Sequence, residues 1–220
     1  SEVPVGLYRT YAHLPDDEPF TYANWLKAVR AGRTFMSGGP IIGLTANGAM
    51  VGDTIRLPGN GGAVEVETWA ESIFPIHTLE LLQEGRVIAA AEEKKGARRL
   101  RLKTSVKATK HSWLAARCGG PKYNRVSHHD VWERGIFAHT SPIYLAVGGD
   151  WWMFDAGTAE YMLTLIEGSL SYIRQLAPQH PRGRVTHHHG EKDHEAYLER
   201  PFHQAREAIH RRMHKLGIPH

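Results

Sequence analysis

Between residues 33 and 148 apolar and polar positions alternate with a period of two. Val64 and Val66 alternate with Glu65 and Glu67, and Leu100, Leu102 and Val106 alternate with Arg99, Arg101 and Lys103. Successive side chains of a strand point to opposite faces, so this pattern predicts half-buried strands. Leu79 and Leu81 lead to Glu84-Gly85, and Val87 begins a return, which predicts a hairpin. An apolar run at 142–147 predicts a further short strand. Glycine-rich breaks fall at 38–40, 59–62, 96, 119–120 and 148–149. No helix-length pattern separates these runs, so antiparallel pairing in a sandwich fits better than βαβ units.

Two stretches carry helical periodicity instead. At 21–31, Thr21 has the chemistry of an N-cap, Gly32 that of a stop, and Trp25, Leu26 and Val29 form the predicted inward stripe. Phe20 and Trp25 have the spacing of a hydrophobic staple. From Asp155 onward, Ala159, Met162, Ile166, Leu170, Ile173 and Ala177 recur at three- and four-residue steps until Pro178. A last helix to about 216 places Phe202, Ala205, Ile209 and Met213 on one face, with Pro201 expected to kink or restart it. The predicted fold is mainly β, an antiparallel Ig-like β-sandwich of about seven strands over 33–148 with flanking α-helices. The expected organisation is a linker at 1–20, the helix-flanked sandwich at 21–177, and a His-rich loop with a C-terminal helix at 178–220. Trp25, Leu26, Val66, Leu81, Leu102, Trp113, Ile143 and Ile166 are its expected buried residues.

Composition narrows the function classes. The 220 residues carry 27 basic and 23 acidic side chains, a net charge of +4, too mild to argue for nucleic-acid binding. Hydrophobic residues make up 41% of the chain, enough for a core, so global disorder is excluded. No run approaches the roughly 20 apolar residues of a membrane span, and we expect a soluble protein whose compartment, cytoplasmic or secreted, stays open. The single Cys118 rules out an intrachain disulfide. The chain opens Ser1-Glu-Val-Pro-Val without an initiator Met or signal peptide, which reads as a cut end with a domain expected upstream.

The motif survey finds no P-loop after Gly38-Gly39-Pro40 and no Gly-x-Ser-x-Gly elbow. Cys118, ending an apolar strand, reads as a core residue. Histidine is the compositional outlier, with 15 copies. His128-His129-Asp130, His187, His189, His194, and the i, i+4 pair His210 and His214 read first as a solvated His-rich surface and second as candidate metal ligands, since neutral imidazoles bind Zn²⁺. No Glu follows His210, so the His-Glu-x-x-His pattern is absent. Arg98, Arg99, Arg101, Lys103, Lys107 and Lys110 read as the solvated outer face of a half-buried strand. Trp151 and Trp152, beside Gly148-Gly149, are candidates for a carbohydrate or small-ligand platform, or for packing. Arg117 ends an apolar strand where a guanidinium needs a partner, and Glu80 in another predicted strand is the candidate.

Five stretches together carry a resemblance. They are Gly6-Leu7-Tyr8-Arg9-Thr10-Tyr11; Trp25 to Pro40, with Ala31-Gly32-Arg33-Thr34-Phe35-Met36-Ser37-Gly38-Gly39 inside it; Leu79-Glu80-Leu81 through Gly85-Arg86-Val87; Ser112-Trp113-Leu114-Ala115-Ala116-Arg117; and His139-Thr140-Ser141-Pro142-Ile143-Tyr144. In this order, over roughly residues 6–175, they resemble the C-terminal accessory region of CehA/McbA-type metallohydrolases. Those are relatives of the PHP (polymerase and histidinol phosphatase) metal-dependent phosphoesterases. In that family the metal site belongs to an upstream PHP barrel that opens with His-x-His. Here the only His-x-His is His187 with His189, near the C-terminal end.

The resemblance therefore implies an accessory domain that is not catalytic alone and carries no cofactor of its own. A divalent metal (Zn or Mn) is expected in a separate catalytic domain, which acts on phosphate esters, carbamates or esters. The partners implied are that upstream PHP domain and a possible second copy of the chain, with no nucleic acid. His139, with Glu80 and Arg117, is a candidate for facing the absent domain. The competing readings are a ligand-binding module at Trp151 and Trp152, and an independent His-site metalloenzyme.

Overall fold

The structure is a computed structural model of the chain, and it describes residues 6–120, 135–179 and 193–219. It divides into two compact units, Ser1–Met153 and Phe154–His220. The first is a β-sandwich. Its elements are β1 (Arg9–Ala12), α1 (Tyr22–Arg30), β2 (Thr34–Ser37), β3 (Ile41–Ala46), β4 (Ala49–Met50), β5 (Thr54–Leu57), β6 (Gly62–Gln83), β7 (Arg86–Ala108), β8 (Ser112–Gly119), β9 (Phe137–Thr140) and β10 (Ile143–Val147).

Two long strands build both layers. The first half of β6 pairs with β3 on one side and β7 on the other, from Ile41↔Glu71 to Ala46↔Val66 and from Glu71↔Arg99 to Gly62↔Ala108. Past a bend at 72–75 the second half of β6 pairs with β8 in place of β3, from Thr78↔Gly119 to Gln83↔Leu114. β8 carries on through β9, β2 and β1, and through β10, in that second layer. The inward residues of both layers form one core. Ile42, Leu44, Val64, Val66 and Val106 come from the first layer, and Leu79, Leu81, Leu114, Cys118, Ile143 and Leu145 from the second.

The expected β6–β7 hairpin is formed, with φ of 50° at Glu84 and 78° at Gly85, the left-handed pair a type I′ turn requires. Gly96, expected to break the chain, instead lies inside β7 at a bulge. Ile76 pairs with Ala97 but Thr78 pairs with Glu92, so the strand carries extra residues there. A Cβ at Gly96 would sit 2.7 Å from the Pro75 side chain, which is why the bulge needs glycine. The basic residues of β7 face solvent as expected, and three of them are matched across the strand pair. Arg99 lies 2.9 Å from Glu71, Lys103 2.9 Å from Glu67 and Arg101 3.9 Å from Glu67.

Several expectations need correction. Among the described residues the sandwich has ten strands, nine of them within 33–148 where about seven were expected, and it begins before residue 33. The stretch 1–20, expected to be a linker, supplies β1, which pairs with β2 from Arg9↔Ser37 to Ala12↔Thr34. Among the described strands pairing is antiparallel except between β5 and β10, which run parallel from Tyr144↔Thr54 to Val147↔Leu57. α1 has its Thr21 cap, with Asn24 N donating to Oγ1 at 3.2 Å, but no staple, because Phe20 is exposed. Ala28 is the buried residue of α1, while Trp25, Leu26 and Val29 are half-buried. Of the expected core, Val66, Leu81, Ile143 and Ile166 are buried and Trp25, Leu26, Leu102 and Trp113 half-buried.

The second unit is an antiparallel helix pair, α2 (Ala156–Leu176) and α3 (His194–Lys215). The boundary therefore falls at 153/154 rather than at 177/178. α2 is capped by Asp155, whose Oδ1 accepts from Thr158 N at 2.7 Å, and α3 by Asp193, which accepts from Ala196 N at 3.0 Å. Arg174 Nε lies 2.6 Å from Glu199, and Arg206 lies 2.8 Å from Glu167, which fixes the antiparallel register. Glu199 also meets His203 Nε2 at 3.1 Å. Pro201 lies inside a continuous α3 rather than restarting it. Ala159, Ile166, Leu170 and Met213 are buried as expected, whereas Met162 and Ala205 are exposed. Among the described residues no helix is long and apolar enough to cross a membrane.

Candidate functional site

The outer face of the second layer gathers three of the candidates. Because Leu79, Leu81, Ala116 and Cys118 point into the core, the alternate residues Glu80, Ala115 and Arg117 belong to the opposite face. Glu80 stands directly opposite Arg117, and Arg117 directly opposite His139. The same row continues to Met36 and Thr10. Arg117 Nε donates to Glu80 Oε2 at 2.6 Å. The Glu80 side chain keeps 8% of its surface and that of Arg117 29%. Exposure rises along the row, from buried Glu80 through half-buried Arg117 to exposed His139, Met36 and Thr10. The guanidinium is thus held from below by a nearly dry carboxylate and presented at the surface.

The neighbouring row on this face is aromatic. Tyr8 packs against Phe137 with ring centroids 5.5 Å apart. His139 sits beside Phe137 and Arg117. Desolvation lowers its imidazole pKa below the ordinary value, a hydrogen bond with the Thr140 backbone opposes this, and the charge of Arg117 adds to the lowering. The lowering favours the neutral imidazole, which can both donate and accept a hydrogen bond. Sequence reasoning missed Tyr8, Met36 and Phe137, because only the register of β1, β2 and β9 brings them beside Arg117.

The tryptophan candidates separate. Trp151 is half-buried, donates its indole N–H to Ser112 O at 2.9 Å, and packs against Tyr144 at 4.6 Å between centroids. It is a packing residue. Trp152 keeps 47% of its surface and tilts against His111 at 5.8 Å. An exposed Arg56–Asp150 pair at 2.7 Å stands on the same end of the sandwich. One ring of the pair is thus engaged in packing and the other is turned towards solvent.

Of the histidine candidates, His128-His129-Asp130, His187 and His189 lie outside the described residues. His194 opens α3, and His210 and His214 lie one turn apart near its end. Among the described residues no three His, Cys, Asp or Glu side chains form a group able to hold a metal ion. Cys118 is fully buried and its thiol is pushed up to about 12 by desolvation, against a hydrogen bond with the Ala138 backbone. At neutral pH it is a thiol, not a thiolate nucleophile.

No family model matches the chain, and no curated protein matches it. Solved structures similar to it include fibronectin(III)-like modules of CbhA from Clostridium thermocellum, at 13% identity over 49% of this chain and 93% of that one, TM-score 0.27. The CARDB domain of the PF1109 protein from Pyrococcus furiosus is similar at 13% identity over 50% of this chain and 95% of that one, TM-score 0.30. A lytic polysaccharide monooxygenase from Jonesia denitrificans is similar at 12% identity over 43% of this chain and 56% of that one, TM-score 0.25. Likenesses this distant say nothing about activity.

Proposed function

We propose that this chain is an accessory and interaction β-sandwich of a PHP-type metal-dependent hydrolase, acting on phosphate esters, carbamates or esters, and not catalytic alone. Its docking face is the outer face of the second layer. The observation that supports this reading is the row Glu80–Arg117–His139 across three adjacent strands, flanked by Tyr8, Met36 and Phe137. Arg, Tyr, Phe and Met are the residue types enriched at interface centres. Glu80 already orients the guanidinium, so docking costs little side-chain entropy. The resemblance over residues 6–175 supplies the kind of partner, and in this reading the metal and the chemistry belong to the barrel.

The reading frame upstream of Ser1 gives the first test, since it should encode a PHP barrel. That barrel, produced separately, should bind this chain, and Arg117→Ala should weaken binding by about tenfold or more, as removing a central interface Arg does. The chain alone, given Mn²⁺ or Zn²⁺, should not turn over an aryl phosphate or an aryl carbamate. Metal-dependent turnover that vanishes when His210 or His214 is replaced, with the fold intact, would overturn the accessory reading.

A further inference from the structure

The second unit carries an apolar surface that the docking face does not use. α2 has three charged residues, Glu160, Glu167 and Arg174. At 100° per residue all three fall on one side of the helix. Glu167 and Arg174 are spent on α3, bonded to Arg206 and Glu199. The inward face is Ala159, Ile166 and Leu170. Away from the charges runs a stripe of Thr158, Met162, Leu165, Ser169, Tyr172 and Leu176, stepping by 4, 3, 4, 3 and 4 residues. This is the spacing of a coiled-coil seam. Met162, Leu165 and Tyr172 keep 43%, 45% and 65% of their surface, and Tyr161 at the margin keeps 62%.

We propose that this stripe is a two-fold interface with a second copy of the chain, α2 packing antiparallel on α2. Three observations favour a second copy over another partner. The stripe is symmetric about residue 167, so the two-fold sets Met162 opposite Tyr172, Leu165 opposite Ser169, and Thr158 opposite Leu176. Each large residue at the centre then meets a small one, Leu165 against Ser169 with Gly168 beside it, which lets the helices approach closely. The stripe also has no charge, so two copies meet without repulsion, and the helix dipoles run antiparallel.

The area sets the strength. From Thr158 to Leu176 the seam is about 27 Å long at 1.5 Å per residue, and a helix is about 10 Å wide. Counting both copies, the area covered is roughly 500 Å², below the ~1,000 Å² of a stable specific interface and in the range of weak, transient contacts. The dimer is therefore a weak and reversible one.

Sedimentation equilibrium of the full chain from about 1 to 300 μM, a range chosen to bracket such an affinity, should show an average mass rising from 24.7 kDa towards twice that value. Leu165→Glu and, separately, Tyr172→Lys should hold the mass at the monomer value throughout, with an unchanged thermal midpoint by circular dichroism. Both side chains are exposed in the single copy, so the variants fold. A Leu165→Cys/Ser169→Cys double variant should form a covalent dimer on oxidation, while Leu165→Cys alone should not, because only the antiparallel seam places 165 opposite 169. A wild-type mass that stays at 24.7 kDa at every concentration overturns the proposal. So does a dimer that neither charged variant weakens, or one that the single cysteine crosslinks.

Discussion

The Glu80–Arg117 pair offers the sharpest test of the second layer. Replacing Arg117 by Met keeps most of the side-chain stem but removes the N–H that meets Glu80 Oε2 at 2.6 Å. An exposed ion pair is worth about 0.2–1 kcal/mol. Removing one member of a fully buried pair costs about 3–5 kcal/mol, because a charge stays behind in a dry site. Here the carboxylate is 8% exposed and the guanidinium 29%, so the pair stands between those limits. We expect Arg117→Met to cost about 2–3 kcal/mol, or roughly 5–10 °C in melting temperature for a unit of this size. All six tryptophans lie within Ser1–Met153. Urea unfolding followed by tryptophan fluorescence therefore reports the sandwich and ignores the helix pair. The companion variants are Glu80→Met and the double replacement. The double should cost clearly less than the sum of the singles, with a coupling of about 1–2 kcal/mol. The cost of Arg117→Met should also survive 1 M salt, where the Debye length is about 3 Å and exposed pairs lose their worth. A loss under about 0.5 kcal/mol, or singles that simply add, would refute the claim that Glu80 holds Arg117 in place.

Three further outcomes follow from single positions. Gly52→Ala should destabilise the sandwich by roughly 2–3 kcal/mol in the same fluorescence assay, because its φ is +88° and a Cβ would meet Ala31 O at 2.0 Å; Gly48→Ala, also at positive φ but with open space around it, should cost less. His139 has a lowered pKa in the fold, so the unfolded chain binds its proton more readily and stability must fall as pH drops below about 6.5; His139→Asn should flatten that part of the stability–pH curve, and an unchanged curve would count against the desolvated ring. Cys118, with its thiol pushed up to about 12, should resist an aryl disulfide reagent in the native protein and react at once in urea, whereas fast native labelling would mean that the core opens at β8.

The sandwich was legible wherever one face is buried and the other wet. Val64 and Val66 against Glu65 and Glu67 declare the register of β6, and Glu84-Gly85 declares its turn. The pairing of Arg117 with Glu80 was legible for a related reason, since a charge at the end of an apolar strand must find a counter-charge. β1 was hidden because Arg9, Thr10 and Tyr11 are exposed on an edge strand, and burial is what writes alternation into a sequence. The bulge at Gly96 was hidden because glycine reads equally well as a break or as an inserted residue. The parallel β5–β10 pair was invisible for a different reason. Four residues of β5 and five of β10 are too few to signal direction, and the chain enters β5 through the Asp53 turn, tied by Arg33 at 2.7 Å and by Met50 N at 2.9 Å.

The candidate site depends on register more than on residue identity. Glu80, Arg117 and His139 are far apart in sequence and carry no shared motif. They become one row because β6 and β8 pair at 80↔117 while β8 and β9 pair at 117↔139. A slip of one residue in either pairing would send His139 or Glu80 into the core and bring Ala138 or Leu81 to the surface. The apolar neighbours Leu79, Leu81, Cys118 and Ala138 prevent that slip, since each is essentially without solvent contact. The residues that present the row are thus not the ones that fix it. If the row is the docking face proposed for it, core substitutions under β6, β8 and β9 should disturb that docking even where the outer face is unchanged in sequence, whereas exchanges of exposed residues outside the row should leave it intact.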